Sequence, residues 1–347
     1  MAKIIFIGWL RDAPFIHDLQ YCSAGGTIRV LAALGTSRPL ARVGRMIGLF
    51  QMNSMTSDAK RLRSWACSLA CLFLIAAISG CASFTEVRKF ASLSGNAASF
   101  DGVTRDYVEA PERRKPYQPA KFHPELESMK ARREAQRVGL ELLQQTLADY
   151  MHGLDALATG DMRAFDKSLV DVSASLNKAS ILDANEKQAV GALSTLLARS
   201  ATALYREHEM KKLIGQGNGP LQDVIKATRR IVKNGIIADL QVESALIARY
   251  YDNIMLAPDN PPEPVAMALA REARAEALSH ADRRLRSAQA YDDVLSRIAA
   301  GHQYLYDHKN AIGAIGRGET GHQFKLHMNA LRSAYKTLID VSRYVSR

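Results

Sequence analysis

After Cys81 the sequence contains no cysteine; all four, Cys22, Cys67, Cys71 and Cys81, lie at or before that position. Residues 82–347 therefore form no disulfide and no cysteine metal cluster. A body of 266 residues is large enough to bury its own core without crosslinks. Long apolar runs are missing too. Residues 65–78 carry no charge, but 14 residues are too few to span a bilayer, which takes about 20. From residue 84 onward there is no strand-like alternation. An excess of one charge is also scarce: the formal +11 shrinks to 37 basic against 32 acidic residues once the first 80 are set aside. That balance does not force the basic stripe of a nucleic-acid binder.

What is present begins with "KRLRSWACSLACLFLIAAISGCASF", residues 60–84. Lys60, Arg61 and Arg63 precede the 14-residue apolar stretch, and small residues follow it, as in a secretory signal. Ile78, Ser79, Gly80 and Cys81 then resemble the lipobox of bacterial lipoproteins, with an aliphatic residue, two small ones and the cysteine. The resemblance covers only this segment. It implies cleavage after Gly80, a diacylglyceryl thioether on Cys81 and N-acylation of the new terminus. Ala82 at the sorting position implies export to the outer membrane of a Gram-negative cell, the inner membrane being the alternative. Each buried methylene contributes about 0.8 kcal/mol, so three chains hold a protein stably where one does not.

A signal acts from the N-terminus, and Met52 and Met55 lie just upstream of the basic residues. The expectation is that residues 1–51 are a start-site artefact or a disordered extension and that 52–80 form the signal peptide. The alternative is that 1–51, with "KIIFIG" and "SAGGT", form a small domain.

The rest reads as helix. Phe84, Val87, Phe90 and Ala91 share one face; four prolines across 106–124 then suggest an extended spacer within 81–123, or a segment lying along the body. Pro124 suits the first turn of a helix over 124–159, which Gly160 stops. Further helices are expected at 162–181, at 184–214 behind the capping box "DANE", and at 221–256 after the breaker "GQGNGP". The last two are expected at 265–312, with a break at Gly301, and from about 323 to the end. The fold class expected is all-α: an elongated antiparallel bundle of long amphipathic helices occupying 124–347.

The motifs that look chemical lack their context. "GRGETG" at 316–321 and "GQGNG" at 215–219 have no strand before them and read as turns. "HEMKK" at 208–212 places Lys212 where a zinc protease needs histidine, and "SLNK" at 175–178 lacks the partner triplet of serine–lysine enzymes. His302, His308, His322 and His327 are spaced wrongly for one helical face, and "REARAEALSHADRRLR" at 271–286 reads as solvated surface. No catalytic, metal or cofactor-binding residue is indicated. The expected function is a lipid-anchored, periplasm-facing binding or scaffold module, with the membrane and an envelope protein as partners and no nucleic acid. The alternatives are an envelope enzyme with a site built between helices and a non-acylated signal anchor.

Overall fold

The computed structural model describes residues 84–160, 172–200, 206–256 and 263–343. Among them the chain is an all-α bundle without a strand. The helices are α1 (Thr85–Ala98), α2 (Gly102–Arg114), α3 (His123–Thr159), α4 (Val172–Lys178), α5 (Ala184–Ser200), α6 (Arg206–Ile231), α7 (Ala238–Met255), α8 (Pro264–Asp307) and α9 (Gly318–Ser342). A π-helical turn, Val232–Ile237, joins α6 to α7 without a break. The helix α1 packs on α3, α5 on α6, and α8 on both α7 and α9, while α6 lies against both α3 and α8.

The core follows from the apolar spacing. Along α3, Leu140, Leu143, Leu147, Tyr150, Leu154 and Leu157 are buried in one continuous cluster that also takes in Tyr291, Val294, Leu295 and Ile298 of α8. Phe90 of α1 meets Phe324 of α9 with ring centroids 5.6 Å apart, tying the first described helix to the last.

Several boundaries fall where local chemistry puts them. Pro124 occupies the first turn of α3, where a missing N–H costs nothing, and Gly160 closes that helix in the left-handed region at φ 84°. The capping box ahead of α5 is complete: the Asp183 N–H donates to Glu186 Oε2 at 3.0 Å, and the Glu186 N–H donates to Asp183 Oδ1 at 2.9 Å.

Four expectations need correction. The proline-bearing stretch is not an extended spacer, because residues 102–114 are helical and Val103, Val108, Ala110 and Pro111 are buried. Pro111 has no N–H for the Tyr107 carbonyl one turn back, and Arg133 of α3 supplies one instead, its Nη1 donating to that oxygen at 2.9 Å. The segment 215–220 is not a breaker but the middle of α6. A Cβ on Gly217 would lie 2.6 Å from the Tyr150 hydroxyl oxygen, so glycine is there for close approach. Likewise α8 runs unbroken through Gly301, where a Cβ would sit 2.4 Å from the Phe90 ring. It ends at Asp307, and "GETG" forms the first turn of α9 rather than a loop.

Replacing Gly217 with alanine should therefore destabilise the protein despite a gain of about 1 kcal/mol in helix propensity. Tyr150 is fully buried and cannot retreat, so a net loss of roughly 1–3 kcal/mol is expected from urea unfolding, whereas Gly191→Ala, with open space beside it, should stabilise.

Candidate functional site

The densest chemistry lies where α2, α3, α7 and α8 meet. Asp106, Arg113 and Arg114 come from α2, Arg133 from α3, Asp239 and Glu243 from α7, and Arg284 from α8. Glu243, with only 2% of its side chain exposed, accepts two parallel bonds from Arg113, Nε to Oε1 and Nη2 to Oε2, both at 3.0 Å. Arg284 Nη1 lies 3.5 Å from the same carboxylate. Asp239 is gripped the same way by Arg133, with both bonds at 2.8 Å, and by Arg114, which also donates to the Asp239 carbonyl. The Arg133 guanidinium lies over the Tyr107 ring, 4.7 Å from its centroid.

Asp106 sits 3.8 Å from Arg113 and 3.9 Å from Arg284. Burial holds its carboxyl above the usual range, against the pull of Arg113, Arg284 and Arg105. Burial also lowers Arg284, helped by repulsion from Arg113 and opposed by Glu243 and Asp106. Glu243 and Asp239 are each hydrogen-bonded by guanidinium groups that cannot release a proton at ordinary pH, whereas Asp106 lies at longer range from two of them. The arrangement can hold helices in register.

This network sits at the root of the α7–α8 hairpin. Beyond it, none of residues 248–256 or 264–280 is buried, so the distal half of the pair has no core of its own. Leu256, Val265 and Leu269 are 78%, 67% and 61% exposed, and Tyr250 and Ile254 are exposed beside them. Tyr117, from the 3-10 turn after α2, meets Tyr250 edge-on at 5.6 Å. Arg274 reaches across the hairpin to Asp252 at 3.3 Å.

A second polar cluster lies in the core. His302 is fully buried, with Nε2 2.8 Å from the Tyr150 hydroxyl and Nδ1 2.9 Å from Asn218 Oδ1. Its protonation follows from the surface inward. The Asp307 carboxylate only accepts, so Gln303 Nε2 donates to it at 2.9 Å; Gln303 Oε1 then accepts from Asn218 Nδ2 at 2.8 Å. Asn218 Oδ1, to which Gln222 Nε2 also donates at 3.5 Å, then accepts from His302 Nδ1–H, and His302 Nε2 faces the Tyr150 hydroxyl, whose one proton lies between that nitrogen and the Leu213 carbonyl at 3.1 Å. Burial lowers the His302 pKa from an ordinary 6.5 to about 3, so the ring is neutral. The bonds tie α3, α6 and α8 together within the core.

Ile78, Ser79, Gly80 and Cys81, the residues singled out for cleavage and lipidation, lie outside the described residues, as does 1–51. The serine–lysine pair at 175–178 lies in the short α4, and His208 is an exposed position on α6 with Lys212 paired to Glu209 at 3.7 Å. His308 stacks on Tyr304 at 4.1 Å, His327 lies 5.1 Å from the same ring, and His322 is exposed. Among the described residues no three His, Cys, Asp or Glu side chains gather as a metal site requires. The 271–286 run is not wholly solvated, because Arg284 belongs to the buried network. Sequence reading missed that network: its partners lie 106 and 130 residues apart, and only the i, i+4 spacing of Asp239 and Glu243 hinted at a shared acidic face. Comparison with known proteins finds no matching family model, no matching curated protein and no matching solved structure.

Two outcomes follow. Glu243→Ala removes the carboxylate that Arg113 grips and leaves Arg113 and Arg284 with only the more distant Asp106 as counter-charge, and urea unfolding should show a loss of about 3–5 kcal/mol. For His302 the native ring binds fewer protons than the unfolded one between pH 6.5 and about 3. Its contribution is full above pH 6.5 and falls with acidification, by about 1.4 kcal/mol per pH unit. Unfolding curves from pH 7 to pH 4 should show this slope reduced in His302→Gln. A residual slope remains from His327, which burial and Arg297 also lower.

Proposed function

We propose that this chain is an acyl-anchored helical binding module of the bacterial cell envelope, held at a membrane through Cys81 and contacting a protein partner through the distal half of the α7–α8 hairpin. The observation that carries the anchor is the order of Lys60, Arg61 and Arg63, a 14-residue apolar stretch, and Ile78, Ser79, Gly80 and Cys81 at its end. Among the described residues no helix is long and apolar enough to cross a membrane, so the anchor rests on that segment alone.

The surface suits a protein partner for two reasons. Leu256, Val265 and Leu269 give a short apolar strip on a two-helix layer, and a third helix laid against them would complete a core. The flanking charges are mixed, with Arg271 and Arg274 alternating with Glu272 and Glu276, which fits a folded partner better than a polymer of one sign. Glu243 and Asp239 at the hairpin root favour binding over catalysis, since guanidinium groups hold both.

Metabolic fatty-acid labelling tests the anchor: label is expected on the native protein and absent from Cys81→Ala, and label on both sinks the assignment. For the hairpin, a photo-crosslinking residue at position 269 should give one discrete protein adduct in intact cells. Leu256→Asp with Val265→Asp should abolish that adduct and leave the thermal midpoint within a degree or two, since both side chains are exposed. An adduct that survives the double substitution removes the hairpin from the proposal.

A further inference from the structure

A different face of the molecule carries a second reading, independent of the anchor. Where α6 passes into the π-helical turn, a groove of about 310 Å³ is lined by Lys226, Arg229, Arg230, Lys233 and Asn234, and Ala299 of α8 closes its side. Four cations border one small space, and no carboxylate lines it. The π turn follows from these residues' neighbours: it keeps Val232 and Ile236 buried while Lys233 and Asn234 remain exposed. Such turns occur often at functional positions.

Two of the four cations are held in place by carboxylates that use only one edge of each guanidinium. Arg229 donates through Nε and Nη2 to Asp292, at 2.8 and 3.1 Å. Arg230 donates through Nε and Nη2 to Glu186, the nearest contact being 2.8 Å. Among the described residues Nη1 of each makes no hydrogen bond. Lys233 lies 3.4 Å from Asp292, which Arg229 already occupies, and among the described residues Lys226 has no carboxylate partner. Four positive charges against Asp292 and Glu186 leave an excess of two.

That pattern selects the ligand's shape as well as its sign. A carboxylate is planar and best taken by the paired Nε and Nη2 edge of arginine, and in both arginines that edge is occupied. What remains are single N–H donors and two ammonium groups spaced along one helix and bordering the same groove, which suits a tetrahedral oxyanion with three accepting oxygens. A phosphomonoester carries about −1.5 to −2 at neutral pH, which matches the excess. The larger neighbouring cavity of about 720 Å³ shares Lys226 and Arg230, but Asp183, Glu186 and Asp223 line it and disfavour an anion there. We infer that the groove at the α6 to π-turn junction is a phosphate-binding site, with Lys226, Lys233 and the free Nη1 groups of Arg229 and Arg230 as its donors.

The group bound is either a free phosphate ester or the phosphate of a lipid headgroup, and one set of measurements separates the two. The full chain carrying Cys81→Ala, so that no acyl chain contributes, is titrated with inorganic phosphate in a calorimeter at fixed ionic strength. It is also sedimented with phosphatidic acid vesicles and with phosphatidylcholine vesicles. Phosphate binding that weakens tenfold or more in Lys226→Gln with Lys233→Gln supports the site and points to a free ester. Sedimentation with phosphatidic acid alone, lost in the same variant, supports it and points to a headgroup. Both lysines are exposed, so the variant should unfold at the same urea concentration as its parent without phosphate. If neither phosphate nor phosphatidic acid binds, or if binding persists undiminished in the variant, the inference is overturned.

Discussion

The structure depends on polar groups buried between helices and matched in one register only. Apolar stripes on long helices give adhesion but tolerate sliding by a turn, because leucine against leucine costs little wherever it meets. A carboxylate in the interior tolerates no such shift, since moving it away from its guanidinium leaves both charges unsolvated. Glu243 and Asp239 fix α7 against α2, α3 and α8 in this way. Gln144 does the same without charge. Its carbonyl accepts from Thr104 at 2.8 Å, while its amide donates to the Phe100 carbonyl at 2.8 Å and to the Tyr291 hydroxyl at 3.2 Å. In a body without disulfides, these ties do the registering that crosslinks do in smaller secreted domains.

How much was legible in the sequence follows from the range of each interaction. The long helix from Pro124 to Gly160 and the capping box at Asp183 were readable because their causes lie within four residues of their effects. The glycines and prolines inside α2, α6 and α8 misled for the opposite reason. Pro111 is tolerated because Arg133 takes over a carbonyl from another helix, and Gly217 is needed because a tyrosine 67 positions earlier in the chain lies against it. A local reading sees a breaker where the fold sees a close approach. The ion network was hidden likewise: arginine and glutamate on amphipathic helices look the same in sequence whether they face water or each other. The resemblance of Ile78, Ser79, Gly80 and Cys81 to a lipobox is a matter of sequence alone, for these residues precede the described part of the chain.

The two surfaces drawn out above differ in kind. The α7–α8 hairpin exposes apolar side chains beyond a root tied by ion pairs, so the partner proposed for it would meet a surface already shaped. The groove beside the π turn is polar, small and bordered by side chains already fixed by carboxylates, an arrangement that recognises charge and geometry more than area.

The row of bonded groups from Tyr150 through His302, Asn218 and Gln303 to Asp307 runs from the interior to the surface, and an exposed acid anchors its outer end. Gln303 turns its amide nitrogen toward that acid, while Asn218 is oriented a second time by Gln222, whose Nε2 also donates to the Ala299 carbonyl. A negative charge at the rim of the molecule thus reinforces the order of donors at its centre, through alignment rather than through field strength.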